Sequence, residues 1–355
     1  MFIEDDDLAV EEVASAIQTR CLGRKQSTAC WLPELRPDVA ADAGVVCAGT
    51  WDEAENELAL WSVVLRGGPT GGGAEMEVEG GGAPPEPQRL CGAAHGGGDV
   101  LGLCAAAPAG GGATCVFSAS SGGDVRCHAV QWAGSAAALH PLWTAASSGC
   151  LHGVSWDADG QELAAAGDAG ELLVLDASGA TRATLQAREA ALLGVCWARP
   201  KEVFTVGSRL LQWDVRTRAP PVALAAEPNK GPHEAPQLQC VASHPQKPQI
   251  VAAGSSEGAV YVWDVRAAAA PLATVRAHAS DVWAVQLRES AYGGLLSCSS
   301  DGAVVVSPVD GAADGARPAP IVQSHLPVNA IDLSPRGWLV AASDAEALTF
   351  VDLQR

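Results

Sequence analysis

Positive charge is scarce in this sequence. Its 22 Lys and Arg residues face 41 Asp and Glu, giving a formal net charge of −19 at pH 7. A surface of that sign repels phosphate backbones, which removes naked DNA or RNA from the expected partners, and it avoids anionic membrane surfaces. Long apolar runs are missing too. No stretch of about 18 or more strongly apolar residues occurs, so no transmembrane helix is expected. The opening Met1-Phe2-Ile3-Glu4-Asp5-Asp6-Asp7 has neither the basic start nor the apolar core of a secretory signal. A soluble intracellular chain without membrane insertion is the expectation.

Catalytic and ligand-binding motifs are equally thin. The 11 cysteines are odd in number and include no C-x-x-C pair. Most sit in apolar strand-like runs, such as Val45-Val46-Cys47 and Gly194-Val195-Cys196-Trp197, and read as small buried hydrophobes in a reducing compartment. Cys127-His128 and Cys150-Leu151-His152 are isolated pairs without two further ligands, so no metal site is expected. The runs Gly96-Gly97-Gly98 and Gly110-Gly111-Gly112 precede no helix pattern and lack the Lys-Ser/Thr of a phosphate-binding loop. No G-x-S-x-G elbow is present. Neither a cofactor nor a small-molecule substrate is expected, and the chain does not read as an enzyme. Phe and Tyr are few, at 4 and 2, against 39 Gly and 11 Trp. That drift dilutes motifs, so the surviving ones weigh more.

What the chain does have is a repeat. A short apolar strand, a tight turn, and a second apolar strand ending in Trp-Asp or a substitute recur seven times. The clearest copies are Val203 to Val206 with Leu210-Leu211-Gln212-Trp213-Asp214, and Ile250 to Gly254 with Val260-Tyr261-Val262-Trp263-Asp264. The Trp-equivalent positions are 61, 128, 175, 213, 263, 307 and 351. Six intervals separate them, and all but the first fall near the roughly 40–45 residues of a four-stranded blade. The expected fold is all-β, a seven-bladed WD40-type β-propeller over residues 17–355. The long first interval holds a Gly/Pro/Glu-rich stretch at about 66–88, which cannot bury apolar area and reads as a disordered loop. A second polar loop is expected over 218–236. The chain ends just after the third strand of the last blade, so a strand from around Gln18 to Gln26 is expected to close it. Residues 1–16 read as a mobile acidic tail.

Three groups of residues invite a closer reading. His278, Ser299 (or Ser297) and Asp301 fit the buried hydrogen-bonded network that pins a WD40 blade, with Asp281 opening the same blade. Ser307 stands where that network would hold Trp. The same His278, Ser299 and Asp301 could be drawn as a catalytic triad, but the repeat register explains them without catalysis. His95 with Asp99, and His325, are weaker matches near the starts of the second and seventh blades. Finally, Trp213-Asp214-Val215-Arg216 and Trp263-Asp264-Val265-Arg266 are WD-x-R endings. They make Arg216 and Arg266 candidate docking residues and leave an alternative function, the substrate receptor of a cullin-RING ubiquitin ligase.

Four stretches lie closer to one family. They are Gly49-Thr50-Trp51-Asp52-Glu53-Ala54-Glu55-Asn56 with Leu60-Trp61-Ser62; Thr205-Val206 through Arg216; Cys240-Val241 through Arg266 with Ala277-His278 and Trp283; and Val328-Asn329-Ala330-Ile331-Asp332 with Ser343-Asp344-Ala345-Glu346-Ala347. The first and last are foreign to ordinary WD40 repeats. In these the chain resembles the 43-kDa WD-repeat nucleoporins of the Y-shaped outer-ring complex of the nuclear pore. The resemblance runs from about Lys25 to Val351, fades across 66–110 and 130–160, and does not include the acidic tail. It implies a scaffold at the nuclear envelope that docks other nucleoporins, at the short arm of the Y where α-helical solenoid subunits meet. It carries no catalytic residue.

Overall fold

The computed structural model describes residues 17–33, 43–64, 87–107, 112–187, 191–217, 219–227, 234–267, 270–288, 294–308 and 317–353. The expected tail at 1–16 and nearly all of the expected loop at 66–88 lie outside them.

A single strand, β1 (Ile17–Cys21), comes first. Six four-stranded antiparallel blades follow in chain order. Blade 1 is β2 (Gln26–Trp31), β3 (Ala43–Thr50), β4 (Glu57–Val64) and β5 (Gln88–Ala94). Blade 2 is β6 (Val100–Ala106), β7 (Cys115–Ser120), β8 (Asp124–Ala133) and β9 (Ala136–Ala146). Blade 3 is β10 (Leu151–Asp157), β11 (Glu162–Gly167), β12 (Glu171–Asp176) and β13 (Thr181–Gln186). Blade 4 is β14 (Gly194–Arg199), β15 (Glu202–Val206), β16 (Leu210–Asp214) and β17 (Val222–Leu224). Blade 5 is β18 (Leu238–Ser243), β19 (Ile250–Ser255), β20 (Ala259–Asp264) and β21 (Ala273–Arg276). Blade 6 is β22 (Val282–Leu287), β23 (Gly294–Ser299), β24 (Ala303–Pro308) and β25 (Ala319–Gln323).

Blade 7 has only β26 (Val328–Leu333), β27 (Trp338–Ser343) and β28 (Ala347–Asp352) from the C-terminal part of the chain. Its fourth strand is β1, paired antiparallel to β28 from Ile17 opposite Val351 to Cys21 opposite Ala347. The expected N-terminal closure is therefore present. It is shorter than expected: the strand stops at Cys21, and Gln26 already opens the inner strand of blade 1. The stretch 218–236 likewise needs correction, because it contains β17, the outer strand of blade 4.

Burial explains why these residues form these strands. The middle strands of each blade are covered on both faces and read as continuous apolar runs, as in β11, where only Glu162 is not buried. The outer strands keep one face in water and alternate weakly, as in β13. The core lies between neighbouring blades. Ala164, Ala166, Leu172 and Val174 of blade 3 pack on Val195, Val203, Leu211 and Trp213 of blade 4. Each such Leu, Val or Phe side chain contributes about 1.5–3 kcal/mol on burial. Across the closing seam, Trp31 of blade 1 meets Phe350 of blade 7 edge-on at 5.9 Å. The backbone N–H of Trp31 also donates to Asp332 of blade 7 at 2.7 Å.

Near the axis the inner strands crowd together. A Cβ on Gly102 of β6 would lie 2.8 Å from the Cα of Gly153 in β10. The corresponding positions of the other inner strands hold Thr28, Gly194, Cys240, Ala284 and Ala330, all small. That layer sets the diameter of the central channel.

Candidate functional site

The channel has a volume of about 570 Å³ and is lined by all seven inner strands. Its mouth on one face is built by a repeated irregularity. The pairing of the inner strand with its neighbour skips one residue at Ser27, Leu101, His152, Gln239, Trp283 and Asn329. Leu193 holds the same place just ahead of β14, its N–H bonded to Val206. A bulge of this kind leaves one residue out of the ladder and re-aims its side chain. All seven of these residues line the mouth, joined by Trp51 and Gln237. Trp283 is 41% exposed, the most open large apolar side chain among these mouth-lining residues. Its indole N–H donates to Ser300 Oγ at 2.7 Å.

The turns linking second to third strands surround this mouth, and those of blades 1, 3, 5, 6 and 7 carry acidic residues, whereas that of blade 4 carries Arg209. Asp52, Glu55, Asp168, Glu257 and Glu346 are exposed there. The turn of blade 1, residues 51–56, is unusually tied down. Trp51 Nε1 donates to Asp344 Oδ1 at 2.9 Å, and Asn329 Nδ2 donates to the same oxygen at 2.7 Å. Asn329 Nδ2 also reaches the Gln26 carbonyl at 2.9 Å. On its other side, the Asp52 N–H and Asn56 Nδ2 both donate to Asp99 Oδ1 at 3.0 Å. Lys25 Nζ pairs with Asp52 at 2.6 Å. One turn thus fastens blade 7 to blade 1 and blade 1 to blade 2. The two sequence stretches foreign to ordinary WD40 repeats meet in this clasp.

Comparison with known proteins agrees with this geometry. Residues 230–264 match the WD domain, G-beta repeat family. The chain is 28% identical over 300 residues to Nucleoporin Nup43 of Homo sapiens, covering 81% of this chain and 74% of that protein. It is 28% identical over 268 residues to Nucleoporin Nup43 of Mus musculus, covering 72% of this chain and 66% of that protein. In sequence the chain is similar to the nucleoporin Nup43, and it carries a WD repeat.

Within this propeller the network expected in blade 6 forms, with one change of partner. His278 Nδ1 lies 3.2 Å from Asp301 Oδ2, and its Nε2 lies 2.8 Å from Ser297 Oγ. Ser299 does not reach the imidazole. Its Oγ donates to the Ser280 carbonyl at 3.2 Å and accepts the Asp301 N–H at 3.1 Å, so it shapes the turn. The His278 side chain is fully buried. Burial lowers its pKa from the ordinary histidine value despite the nearby Asp301. Asp281 looks to the neighbouring blade instead, accepting from Gln239 Nε2 at 3.2 Å.

Blade 2 repeats the pattern partially. His95 Nε2 lies 3.0 Å from Ser118 Oγ, whereas Asp99, its expected partner, belongs to the clasp described above. His325 is exposed. His128, at the Trp-equivalent position of blade 2, is buried, and desolvation pulls its pKa down to about 4. The hydroxyl and the Trp coincide only in blade 4, where Trp213 Nε1 donates to Thr205 Oγ1 at 2.9 Å. In blades 1 and 5 the hydroxyl position is Ala48 or Ala253, and the buried indole nitrogens of Trp61 and Trp263 have no acceptor.

The two WD-x-R endings share one local structure. Arg216 Nε and Nη2 reach Asp214 at 2.9 and 2.7 Å, and Arg266 grips Asp264 at 2.9 and 2.6 Å. Each fork is exposed yet closed on its own Asp. The Arg hydrogen bonds hold both carboxyls at about 2, below the usual carboxylate value. One grouping was only partly legible in the sequence, where Cys150 and His152 stood as an isolated pair. Asp168, in the turn after β11, comes to His152 with Oδ1 at 2.6 Å from Nε2, and Cys150 stands beside them. The rest of its signal was absent because the third member is contributed by a neighbouring strand's turn.

Proposed function

We propose that this chain is a non-enzymatic scaffold subunit of the outer ring of the nuclear pore, the Y-complex. In this role it docks other nucleoporins at the nuclear envelope and so supports pore assembly and nucleocytoplasmic transport. The observation that carries the reading is the likeness to Nucleoporin Nup43 across 81% of the chain. The structure supports it in two ways. A closed ring with its edges short and its loops on two faces is a rigid platform for docking. The Ser–His–Asp arrangement of blade 6 is centred on His278, whose side chain is sealed inside the blade.

The occupant we favour for the channel mouth is a basic segment of an α-helical solenoid nucleoporin. The acidic turns supply charge complementarity, and Trp283 supplies an exposed apolar anchor. The ligase-receptor alternative rests on Arg216 and Arg266, and each guanidinium is already engaged by the Asp two residues before it. The deciding experiment is affinity purification of the tagged full chain with mass spectrometry, alongside imaging. Outer-ring nucleoporins in near-equal amounts and a nuclear rim signal are expected. Trp283→Ala should reduce that recovery at least tenfold without changing the thermal midpoint. Diffuse signal with no nucleoporin recovered would remove the reading, and recovery of a cullin ligase would replace it.

A further inference from the structure

Cys150, His152 and Asp168 each offer one donor atom, and the three atoms lie within 4.8 Å of one another. Local backbone structure brings them together. Leu151 sits between the first two and is fully buried. Cys150 immediately precedes β10, and the bulge at His152 turns that side chain out of the ladder. Leu151 pairs with Gly167, and the Asp168 N–H donates to the Cys150 carbonyl at 2.9 Å. That bond places the Asp168 side chain over the same spot.

We propose that blade 3 carries a Zn2+ site at the rim of the channel mouth, formed by the Cys150 thiolate, the His152 imidazole and the Asp168 carboxylate. A mixed sulfur, nitrogen and oxygen set is what zinc accepts, and three protein ligands leave a fourth position open. Ligand distances of about 2.0–2.3 Å in a tetrahedron separate donor atoms by roughly 3.3–3.7 Å. The direct His152–Asp168 bond of 2.6 Å must therefore open by less than about 1 Å. Asp168 can make that movement, because its side chain is 54% exposed. Binding replaces the thiol proton of Cys150 with the metal and releases one proton to solvent. Because His152 also lines the mouth, the fourth position is available to water or to a donor atom of whatever enters there.

The test uses the full chain, stripped with chelator, reloaded with Zn2+ and dialysed. One zinc per chain by elemental mass spectrometry is expected. Cobalt substitution should show a thiolate-to-metal charge-transfer band. Cys150→Ser should abolish that band, and His152→Gln and Asp168→Asn should each weaken zinc binding at least tenfold in competition with a chromophoric chelator. Asp168 is exposed, so its variant keeps the fold, and circular dichroism checks all three. A wild-type chain that retains no zinc, or variants that bind as the wild type does, would overturn the proposal and leave a plain His–Asp hydrogen bond.

Discussion

Trp263 is fully buried, yet its indole N–H meets no acceptor. Trp213, in the same place one blade earlier, donates to Thr205. The difference is a single neighbour, because Ala253 occupies the position of Thr205. A buried unsatisfied donor costs about 1–3 kcal/mol, and a restored bond recovers about 0.5–1.5 kcal/mol net. Ala253→Ser should therefore raise the unfolding midpoint in urea, with the slope unchanged. A lowered midpoint would mean that the added oxygen overpacks the site. The same scale shows where sequence reading stops. Ser297 and Ser299 lie two apart on one strand, face the same side and are both fully buried. Composition cannot choose between them. Only the depth at which His278 enters the blade does, and that depth is set by pairing.

At the scale of elements, the middle strands were legible and the outer ones were not. A strand covered on both faces writes an apolar run, as Leu163 to Ala166 does. An outer strand such as β17 is three residues with two exposed, and its stretch reads as polar loop. The bulges at the mouth left no signal either, because a skipped pairing is a property of two strands. Closure by β1 was legible for a different reason: a blade with three strands has to be completed. β1 is joined to β28 over five residue pairs and by a 3.0 Å bond between Thr19 and Thr349 hydroxyls. A chain starting at Gly23 should lose that edge. We expect a thermal midpoint lower by several degrees and a broader transition in calorimetry. An unchanged transition would mean that blade 7 stands with three strands.

For the molecule as a whole, pH tests the balance between surface and interior. His128 titrates at about 4 because burial disfavours its charged form, and burial lowers His95 and His278 in the same direction. Unfolded, each takes a proton near pH 6.5. Between about 6.5 and 4 the unfolded chain therefore binds more protons, so stability falls as pH falls through that window. For His128 the loss is at most about 3 kcal/mol. Acid also relieves the self-repulsion of a chain at −19, but at physiological salt that repulsion is screened beyond about 8 Å. The buried histidines should dominate. Unfolding midpoints in guanidinium at pH 7.5 and pH 5 should differ clearly in the wild type and less in His128→Gln. Equal differences in the two proteins would show that the surface governs.

The pairing of Ile17 with Val351 also fixes an order of events. During synthesis β1 is made before the other described strands of the propeller, and its partner β28 after them. Through the intervening translation it has no ladder to join, although blades 1 to 6 can each assemble from consecutive segments. Joining ends this far apart in sequence is the slowest contact such a chain makes. The waiting edge must be kept from pairing with another chain until β28 emerges. For this protein, the hazardous interval is the time before the ring closes, and a co-translational holdase would act there.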